Sequence, residues 1–317
     1  MGMPTTLETL STDLAAAADT AGRATVAVHA RRRIPASGIL WRPGLVVATH
    51  HTVHKDDDVR VTLDGGANGA PQTARGAVVG RDAGTDLVVL RLDRDVGTPA
   101  TIVRDPLRVG QLALAIGRPG DAITAALGVV SAVGPAWRSW HGGEIDQFVR
   151  LDVSVYDGFS GGPLVDASGR VLGINTSALA RAAAVTVPAT TVDRVLDQLL
   201  AGSRVRRGYL GIGTQPVRLP DTVQAQLGGQ QTALMLVAIE PSAPAEQGGL
   251  LLGDVLVALG SRATEDVDDV LAALSSSTTG GSGAGADMIG QMLDARVLRA
   301  GELRTVTVTV GDAPARH

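Results

Sequence analysis

The chain has 317 residues, which is enough for two domains of ordinary size. Apolar residues make up 44% and charged residues 19% of the chain, so the composition excludes global disorder. The net charge of -4 argues against nucleic-acid binding as the main role. The chain has no cysteine, which excludes disulfides, thiolate zinc sites and cysteine nucleophiles.

The N-terminal segment, residues 1–23, predicts a short helix. Leu7, Leu10 and Leu14 recur at helical spacing within residues 6–20. The segment lacks the basic region and unbroken apolar run of a signal peptide, and no stretch of 18 apolar residues predicts a membrane span. As written, the sequence predicts a cytoplasmic protein. The alternative is a periplasmic or secreted protein from which a leader has been removed.

Residues 24–201 read as a first, mainly β domain. Short β-branched runs, among them residues 45–48, 85–90 and 100–103, are separated by Gly, Pro or Asp at intervals typical of an antiparallel barrel or sandwich. The run of strands ends near Pro188. A helix is then predicted over 190–202, because its apolar residues share one face.

Residues 202–207 are predicted as a basic linker, and residues 208–312 as a second, smaller domain. In this second domain strand patterns alternate with two helical patterns, at 243–249 and 267–274. A Gly/Ser-rich run at 275–287 has the composition of a flexible insertion.

A serine ringed by glycines is the most informative string of the sequence. Ser160 lies between Gly158 and the pair Gly161-Gly162, and glycine can adopt backbone angles that turn amides inward to bind an oxyanion. A glycine-rich turn whose serine only satisfies backbone groups is an equally good interpretation of this string alone.

A nucleophilic serine needs a base and an acid that orients the base. His51 follows the buried run 45–48, where a histidine is held rigidly and can still face a cleft. Asp86 opens an aliphatic run, and a carboxylate there is costly unless it is paired, for example with an imidazole N–H. Taken singly, Asp86 is better explained as a turn residue at the start of a strand, and a structural histidine is the alternative for His51.

The strings GLVVATHHTV, AGTDLVVLRL, LALAIGRPGD and LDVSVYDGFSGGPLVDASGRVLGINT resemble the HtrA (Deg) family of serine proteases. The resemblance implies a chymotrypsin-like double antiparallel β-barrel, followed by a smaller α+β PDZ domain. It implies that His51 is the general base, Asp86 its orienting acid and Ser160 the nucleophile. The amides of Gly158, Phe159 and Ser160 become the oxyanion hole.

The second domain resembles the PDZ domain of the same family. Tyr209, Leu210, Gly211 and Ile212 match its peptide-binding loop and the strand that follows. Such a module binds a peptide C-terminus by β-augmentation, with loop amides that capture the terminal carboxylate. Leu210 and Ile212 are expected to help line the pocket, although core packing explains both as well.

The histidine motif departs from the family pattern. His50 stands where the family usually has Asn, so His50 is an alternative base, although the register favours His51. His50, His51 and His54 beside the acidic run 56–58 also allow a metal cluster, but a solvated acidic loop is the better interpretation.

The residue before the nucleophile also departs from the pattern. Phe159 replaces the usual Asn, and it cannot pair with a newly cut N-terminus as the Asp of digestive relatives does. Zymogen cleavage is therefore not expected. Phe159 either acts as an apolar strut for the loop or holds the loop inactive at rest.

The specificity pocket is expected to include Ser154 and Val155, with Val185, Thr186 and Val187 in its wall. None of these residues is acidic, so cleavage after small or medium aliphatic residues is expected rather than after Lys or Arg.

Two functions follow from these observations. The first is a serine endopeptidase that hydrolyses unfolded or damaged proteins, recognises peptide C-termini through its PDZ domain and requires no metal or organic cofactor. The second is a catalytically silent PDZ-containing protein that binds peptides or acts as a chaperone. By resemblance the protein forms a trimer, although residues 1–23 contain none of the aromatic residues that often mediate one.

Overall fold

The computed structural model describes residues 5–31, 34–65, 70–139, 142–153, 156–180, 184–202, 207–275 and 288–313. The chain divides into two compact units between residues 205 and 206. The segment predicted as a linker, 202–207, spans this division. The predicted Gly/Ser-rich insertion lies outside the described residues from residue 276 onward.

The first half of unit 1 is a closed six-stranded antiparallel barrel with the strand order β1-β2-β3-β6-β5-β4. Its strands are β1 (Thr25–His29), β2 (Ala36–Arg42), β3 (Leu45–Thr49), β4 (Val59–Leu63), β5 (Gln72–Asp82) and β6 (Leu87–Leu92). A single 3₁₀ turn, His50–Thr52, follows β3. Alternate apolar side chains fill the barrel, among them Val26, Val28, Leu40, Val46, Val61 and Leu90.

The second half of unit 1 is another closed antiparallel barrel, with the strand order β11-β14-β13-β12-β7-β8. Its strands are β7 (Leu112–Gly117), β8 (Thr124–Gly134), β11 (Phe148–Asp152), β12 (Pro163–Val165), β13 (Val171–Thr176) and β14 (Val185–Pro188). A short ladder joins β9 (Trp137–Arg138) to β10 (Glu144–Ile145). The predicted mainly β class with two antiparallel barrels is confirmed.

Two helices cover the barrels. Helix α1 (Thr6–Gly22) begins with a capping box between Thr5 and Glu8 and packs against β7. Helix α2 (Ala189–Leu200) buries the apolar face that its sequence predicts against strands of both barrels. Its Leu199 approaches Gly80 of β5 so closely that a Cβ there would lie 2.9 Å from Leu199 Cδ2. Helix α2 therefore packs as one element against the two barrels.

Unit 2 is built on a sheet with the strand order β16-β17-β18-β20-β21, to which β19 is added beside β18. The strands are β15 (Gly208–Tyr209), β16 (Ile212–Arg218), β17 (Thr232–Ile239), β18 (Val255–Leu259), β19 (Arg262–Ala263), β20 (Met292–Arg299), β21 (Glu302–Thr309) and β22 (Gly311–Asp312), and β15 pairs with β22. The helices are α3 (Asp221–Gln226), α4 (Pro244–Gly248) and α5 (Val267–Ser275). None of the helices that the structure describes, in either unit, has the length and apolar character needed to cross a bilayer.

Candidate active site

The structure brings His51 and Asp86 together. Thr49, the last residue of β3, pairs with Leu87, the first residue of β6, so the turns that flank these residues are neighbours. Asp86 Oδ2 lies 2.7 Å from His51 Nδ1, and Asp86 Oδ1 accepts the backbone N–H of His51 at 2.9 Å. Both carboxylate oxygens therefore hold the same residue, which fixes the imidazole in position.

A threonine that sequence analysis missed completes the surroundings of this carboxylate. Thr176, the last residue of β13, donates its hydroxyl to Asp86 Oδ2 at 2.6 Å. Asp86 is 3% exposed and has φ of 55°. Its burial makes these hydrogen bonds necessary, because an unpaired carboxylate would be costly in such a place. The only signal in the sequence was the position of Thr176 at the end of a buried strand.

His50, which directly precedes His51, has different partners. The backbone N–H of His50 donates to the carbonyl of Asp86, while Nδ1 of its ring lies 3.5 Å from the Arg81 guanidinium. Burial lowers the pKa of His50 and the charge of Arg81 lowers it further, although Asp86 and Asp82 act in the opposite direction.

The acidic run that suggested a metal cluster is paired with arginines. Asp56 lies 2.8 Å from Arg81, and Asp58 lies 3.1 Å from Arg75. In the parts of the chain that the structure describes, no three His, Asp or Glu side chains are grouped as metal ligands would be. The predicted solvated acidic loop agrees better with these contacts than a cation site does.

Ser160 lies in a loop that needs its glycines. Gly158 has φ of 94° and Gly161 has φ of 89°, a region that favours glycine. A Cβ at Gly161 would lie 2.0 Å from the carbonyl oxygen of Ser37, so no other residue fits there. Asn175 of β13 holds the far side of the loop through its backbone. Its backbone carbonyl accepts the Gly161 N–H, and its backbone N–H donates to the Gly162 carbonyl. The loop is thus fixed from both barrels.

The predicted oxyanion hole needs one correction. The Phe159 amide donates to the carbonyl of Tyr156 at 3.0 Å, because the chain turns there, so this amide cannot also bind an oxyanion. The amides of Gly158 and Ser160 have no acceptor among the described residues. These two amides are therefore free to serve as donors.

In the part of the chain that the structure describes, the nucleophile candidate is hydrogen-bonded to another serine and not to its candidate base. Ser160 Oγ lies 3.2 Å from Ser177 Oγ, and among the described residues no hydrogen bond joins it to His51. Catalytic hydrogen bonds are often long without substrate and shorten when substrate binds. Ser177 is a second hydroxyl-bearing residue at the site that sequence analysis missed.

Phe159 forms the apolar anchor of the loop. Its side chain is fully buried, and its ring meets that of Tyr156 edge to face, with the ring centres 5.6 Å apart. The ring also fills the space beside Gly117, the last residue of β7, where a Cβ would lie 2.4 Å from Phe159 Cδ1. These contacts agree with the interpretation of Phe159 as a strut.

The predicted specificity pocket is described only in part. Ser154 and Val155 lie outside the described residues. Val185 and Val187 pack in the hydrophobic core, and Thr186 donates its buried hydroxyl to Asn175 Oδ1 at 2.9 Å. The aliphatic preference stays a prediction.

In unit 2, the segment from Tyr209 to Ile212 connects the end of β15 to the first residue of β16, which is an edge strand of its sheet. Leu210 is 2% exposed and belongs to the core, while Ile212 is half-buried against the same core. The Tyr209 hydroxyl donates to Glu240, and Gly211 has φ of 76°. The carbonyls of Leu210 and Gly211 accept hydrogen bonds, but in the described part of the chain their amides donate to no acceptor.

Comparison with known families and proteins gives a consistent result. Residues 36–174 match the model of the trypsin-like peptidase domain. The chain is 31% identical over 283 residues to a probable periplasmic serine endoprotease, DegP-like, of Chlamydia trachomatis serovar D. This match covers 87% of the chain and 53% of the relative. A protein of the same name from Halomonas elongata is 32% identical, over 90% of the chain and 57% of the relative. The chain thus spans about half the length of these curated relatives.

Solved structures agree with this fold. The HtrA-type protease AlgW with a tripeptide has a TM-score of 0.67 and 26% identity, covering 96% of this chain and 98% of that one. A serine endoprotease from Yersinia pestis has a TM-score of 0.69 at 23% identity, covering 99% of this chain and all of the other, and supports the fold alone.

The expectation of a cytoplasmic protein is wrong. The matched relatives are named periplasmic endoproteases, which points to a periplasmic rather than a cytoplasmic location. The first residues of the sequence carried no information that could decide this. The barrels, the match of residues 36–174 and the DegP-like relatives together show a trypsin-like peptidase domain in a chain that is similar to HtrA (DegP) serine endoproteases.

Proposed function

We propose that this protein is a serine endopeptidase in which Ser160, His51 and Asp86 form the catalytic triad. The observation that carries the proposal is the pair of hydrogen bonds, at 2.7 and 2.9 Å, that the Asp86 carboxylate accepts from the ring and the backbone of His51. A buried carboxylate held in this way orients an imidazole for proton transfer and stabilises the imidazolium that forms.

In the first step, Ser160 Oγ attacks the carbonyl carbon of the scissile peptide bond, and His51 takes the hydroxyl proton. The amides of Gly158 and Ser160 bind the oxyanion that forms. The C–N bond then breaks, and His51 gives its proton to the leaving amine. Water attacks the acyl-enzyme with His51 as base, which releases the new carboxylic acid and restores Ser160. Loss of one oxyanion donor in such a site costs about 100- to 1,000-fold in rate.

We further propose that unit 2 is a PDZ domain that binds peptide C-termini. Strand β16 lies at the edge of its sheet, so an extended peptide can add a strand beside it. Since the amides of Leu210 and Gly211 donate to no acceptor within the described residues, they can meet a terminal carboxylate. The substrate class that fits both units is an unfolded or damaged protein, and AlgW, a protein of similar structure, is described with a tripeptide. Assembly into a homo-oligomer stays a prediction, which light scattering after size exclusion tests.

Casein hydrolysis and labelling by a fluorophosphonate probe test the catalytic proposal. Ser160→Ala is expected to abolish labelling and to reduce hydrolysis by at least about 1,000-fold. Ser168→Ala removes an exposed serine of the same barrel and is expected to change neither. Labelling that persists in Ser160→Ala contradicts the triad. If the protein binds unfolded casein without cleaving it, the result supports instead the catalytically silent function.

Fluorescence anisotropy tests the PDZ proposal on the full chain in its Ser160→Ala form. A peptide with an apolar last residue and a free carboxylate is expected to bind, and the same peptide with an amidated C-terminus is expected to bind at least about tenfold more weakly. Equal binding of the two peptides would contradict carboxylate capture by the loop amides.

A further inference from the structure

Ser37 belongs to the first barrel but directs its polar atoms to the second. It lies in β2 and is fully buried. Its hydroxyl is 2.5 Å from the carbonyl oxygen of Gly158, and its backbone N–H donates to the carbonyl of Ser160 at 3.2 Å. The backbone N–H of Arg118, just after β7, donates to the Ser37 hydroxyl at 2.7 Å.

These contacts fix the direction of each hydrogen bond. A backbone N–H can only donate, so the Arg118 amide occupies a lone pair of Ser37 Oγ. The single hydroxyl proton of Ser37 is then left for the Gly158 carbonyl, which can only accept. All three groups are satisfied at once, in a place where an unmade hydrogen bond is expensive.

Ser37 thus forms hydrogen bonds to two points of the loop that carries Ser160. Its side chain holds the carbonyl of Gly158, and its main chain holds the carbonyl of Ser160. Phe159 lies between these two residues. The amides of Gly158 and Ser160, which have no acceptor among the described residues, belong to the same two residues whose carbonyls Ser37 binds. Since His51 and Asp86 belong to the first barrel and Ser160 to the second, a link of this kind sets the alignment of the nucleophile with its base.

We propose that Ser37 is a positioning residue for the reaction and that Arg118 holds it in place. This inference rests on the proposed function. Neither residue touches the reacting atoms; both act through the conformation of the loop that carries Ser160.

The Arg118 side chain explains why its backbone N–H stays where Ser37 needs it. The side chain is 3% exposed and donates to the carbonyls of Thr25, Gly22 and Asp121 at 2.8, 2.9 and 2.6 Å. Within the described residues its one ion pair is to Asp64, at 3.8 Å. Burial lowers the pKa of Arg118, as expected for a guanidinium held mainly by neutral carbonyls. The guanidinium therefore ties the chain after β7 to the end of α1 and the start of β1.

Ser37→Ala is the first test. It leaves the Gly158 carbonyl and the Arg118 amide without partners, so the loop should lose its single conformation. We expect kcat for a peptide substrate to fall about 10- to 100-fold, with KM changed less than about twofold. The shape of the pH–rate profile should stay the same, because the His51–Asp86 pair is untouched. Ser37→Thr keeps the hydroxyl and should recover most of the lost kcat.

Thr191→Val is the matched control. It removes another fully buried hydroxyl of unit 1, one that accepts from the Asp146 amide at 2.9 Å, and it should cost stability without lowering kcat. Arg118→Lys keeps the charge but has its donors on one nitrogen, whereas Arg118 reaches the three carbonyls from three separate nitrogens, so the variant should lower kcat as well. The double variant Ser37→Ala with Arg118→Lys should be little worse than Ser37→Ala alone, because both act through one contact.

Hydrogen exchange of the loop peptides covering residues 156–162 gives a readout that needs no activity. Ser37→Ala should speed exchange of the Phe159 and Gly162 amides, whereas Thr191→Val should not. Unchanged exchange together with unchanged kcat would overturn the inference. If the wild-type protein neither cleaves peptide nor labels with fluorophosphonate, the proposed function fails. In that case the exchange rates still decide whether Ser37 holds the loop.

Discussion

The hydroxyl oxygens of Ser160 and Ser177 lie 3.2 Å apart, so the candidate nucleophile shares a hydrogen bond with a neighbouring serine rather than with His51. Ser177 directly follows Thr176, which binds the other end of the triad through Asp86. Two adjacent residues at the end of β13 therefore contact two different members of the proposed triad.

Ser177→Ala is expected to speed fluorophosphonate labelling of Ser160 by about two- to tenfold. The reason is that the Ser160 hydroxyl must leave Ser177 before His51 can take its proton, and a typical hydrogen bond contributes about 1 kcal/mol. The labelling rate at subsaturating probe measures the effect, with Ser168→Ala as the unchanged control. Slower labelling would mean that Ser177 supports the nucleophile instead of competing for it.

Thr176→Val is expected to lower kcat about 3- to 30-fold with little change in KM. It removes the 2.6 Å hydrogen bond to Asp86 Oδ2 and leaves part of a buried carboxylate unsatisfied. Steady-state kinetics on a peptide substrate measure the effect. Thr191→Val also deletes a buried hydroxyl, which accepts from the Asp146 amide, and should leave kcat unchanged. Equal losses in the two variants would assign the effect to general destabilisation.

Gly117→Ala is expected to reduce labelling at least about tenfold and to lower the Tm. The added methyl would lie 2.4 Å from the Phe159 ring, so the ring must leave its site and the Ser160 loop must move with it. Gly120→Ala is the control, because a Cβ there meets nothing within 4 Å. Normal labelling in Gly117→Ala would show that the loop does not depend on the Phe159 anchor.

Unit 1 is expected to lose stability as the pH falls from about 7.5 to 5.5, and His50→Gln should make this loss less steep. Burial and then Arg81 lower the pKa of His50 in the folded protein. The unfolded chain therefore binds the proton more readily, and stability is lost as the pH falls through the ordinary histidine pKa of about 6.5. Urea unfolding followed by tryptophan fluorescence measures this, because every tryptophan precedes residue 205. His54→Gln, which replaces an exposed histidine, is the control. If the free energy of unfolding changes equally steeply with pH in His50→Gln and in the wild type, the prediction is contradicted.

Much of the fold followed from local patterns. The β-branched run 45–48 lies within β3, and the apolar face predicted for 190–202 is the buried face of α2. These patterns predict the elements correctly because apolar residues that recur with the period of a helix or a strand share one face, and the element buries that face. The run 100–103 failed as a strand, since its only ladder contact is a single bridge from Ile102 to Val171. In the sequence, a β-branched run that is too short to pair along its length looks the same as one that forms a strand.

The site was predictable only where one residue type implied another. A glycine-ringed serine needs a base and an acid, and the pairing of His51 with Asp86 agrees with that reasoning. Ser37, Thr176 and Ser177 act through hydroxyls that meet their partners across the fold, and hydroxyl residues are common along the whole chain. The Phe159 amide was misassigned because a turn bond to a carbonyl three residues earlier cannot be recognised from residue type alone.

The backbone of Asp86 limits how its chemistry can be altered. Its φ of 55° lies in a region that aspartate and asparagine tolerate and that most other side chains avoid. Alanine at this position would therefore change the path of the chain as well as remove the charge. Asparagine tolerates this backbone angle but has an NH2 donor in place of one acceptor oxygen, so Asp86→Asn keeps the path of the chain while it removes the charge and one of the acceptors that His51 and Thr176 use. A residue at this position must accept this dihedral angle and supply a carboxylate at the same time, and few residue types can meet both demands.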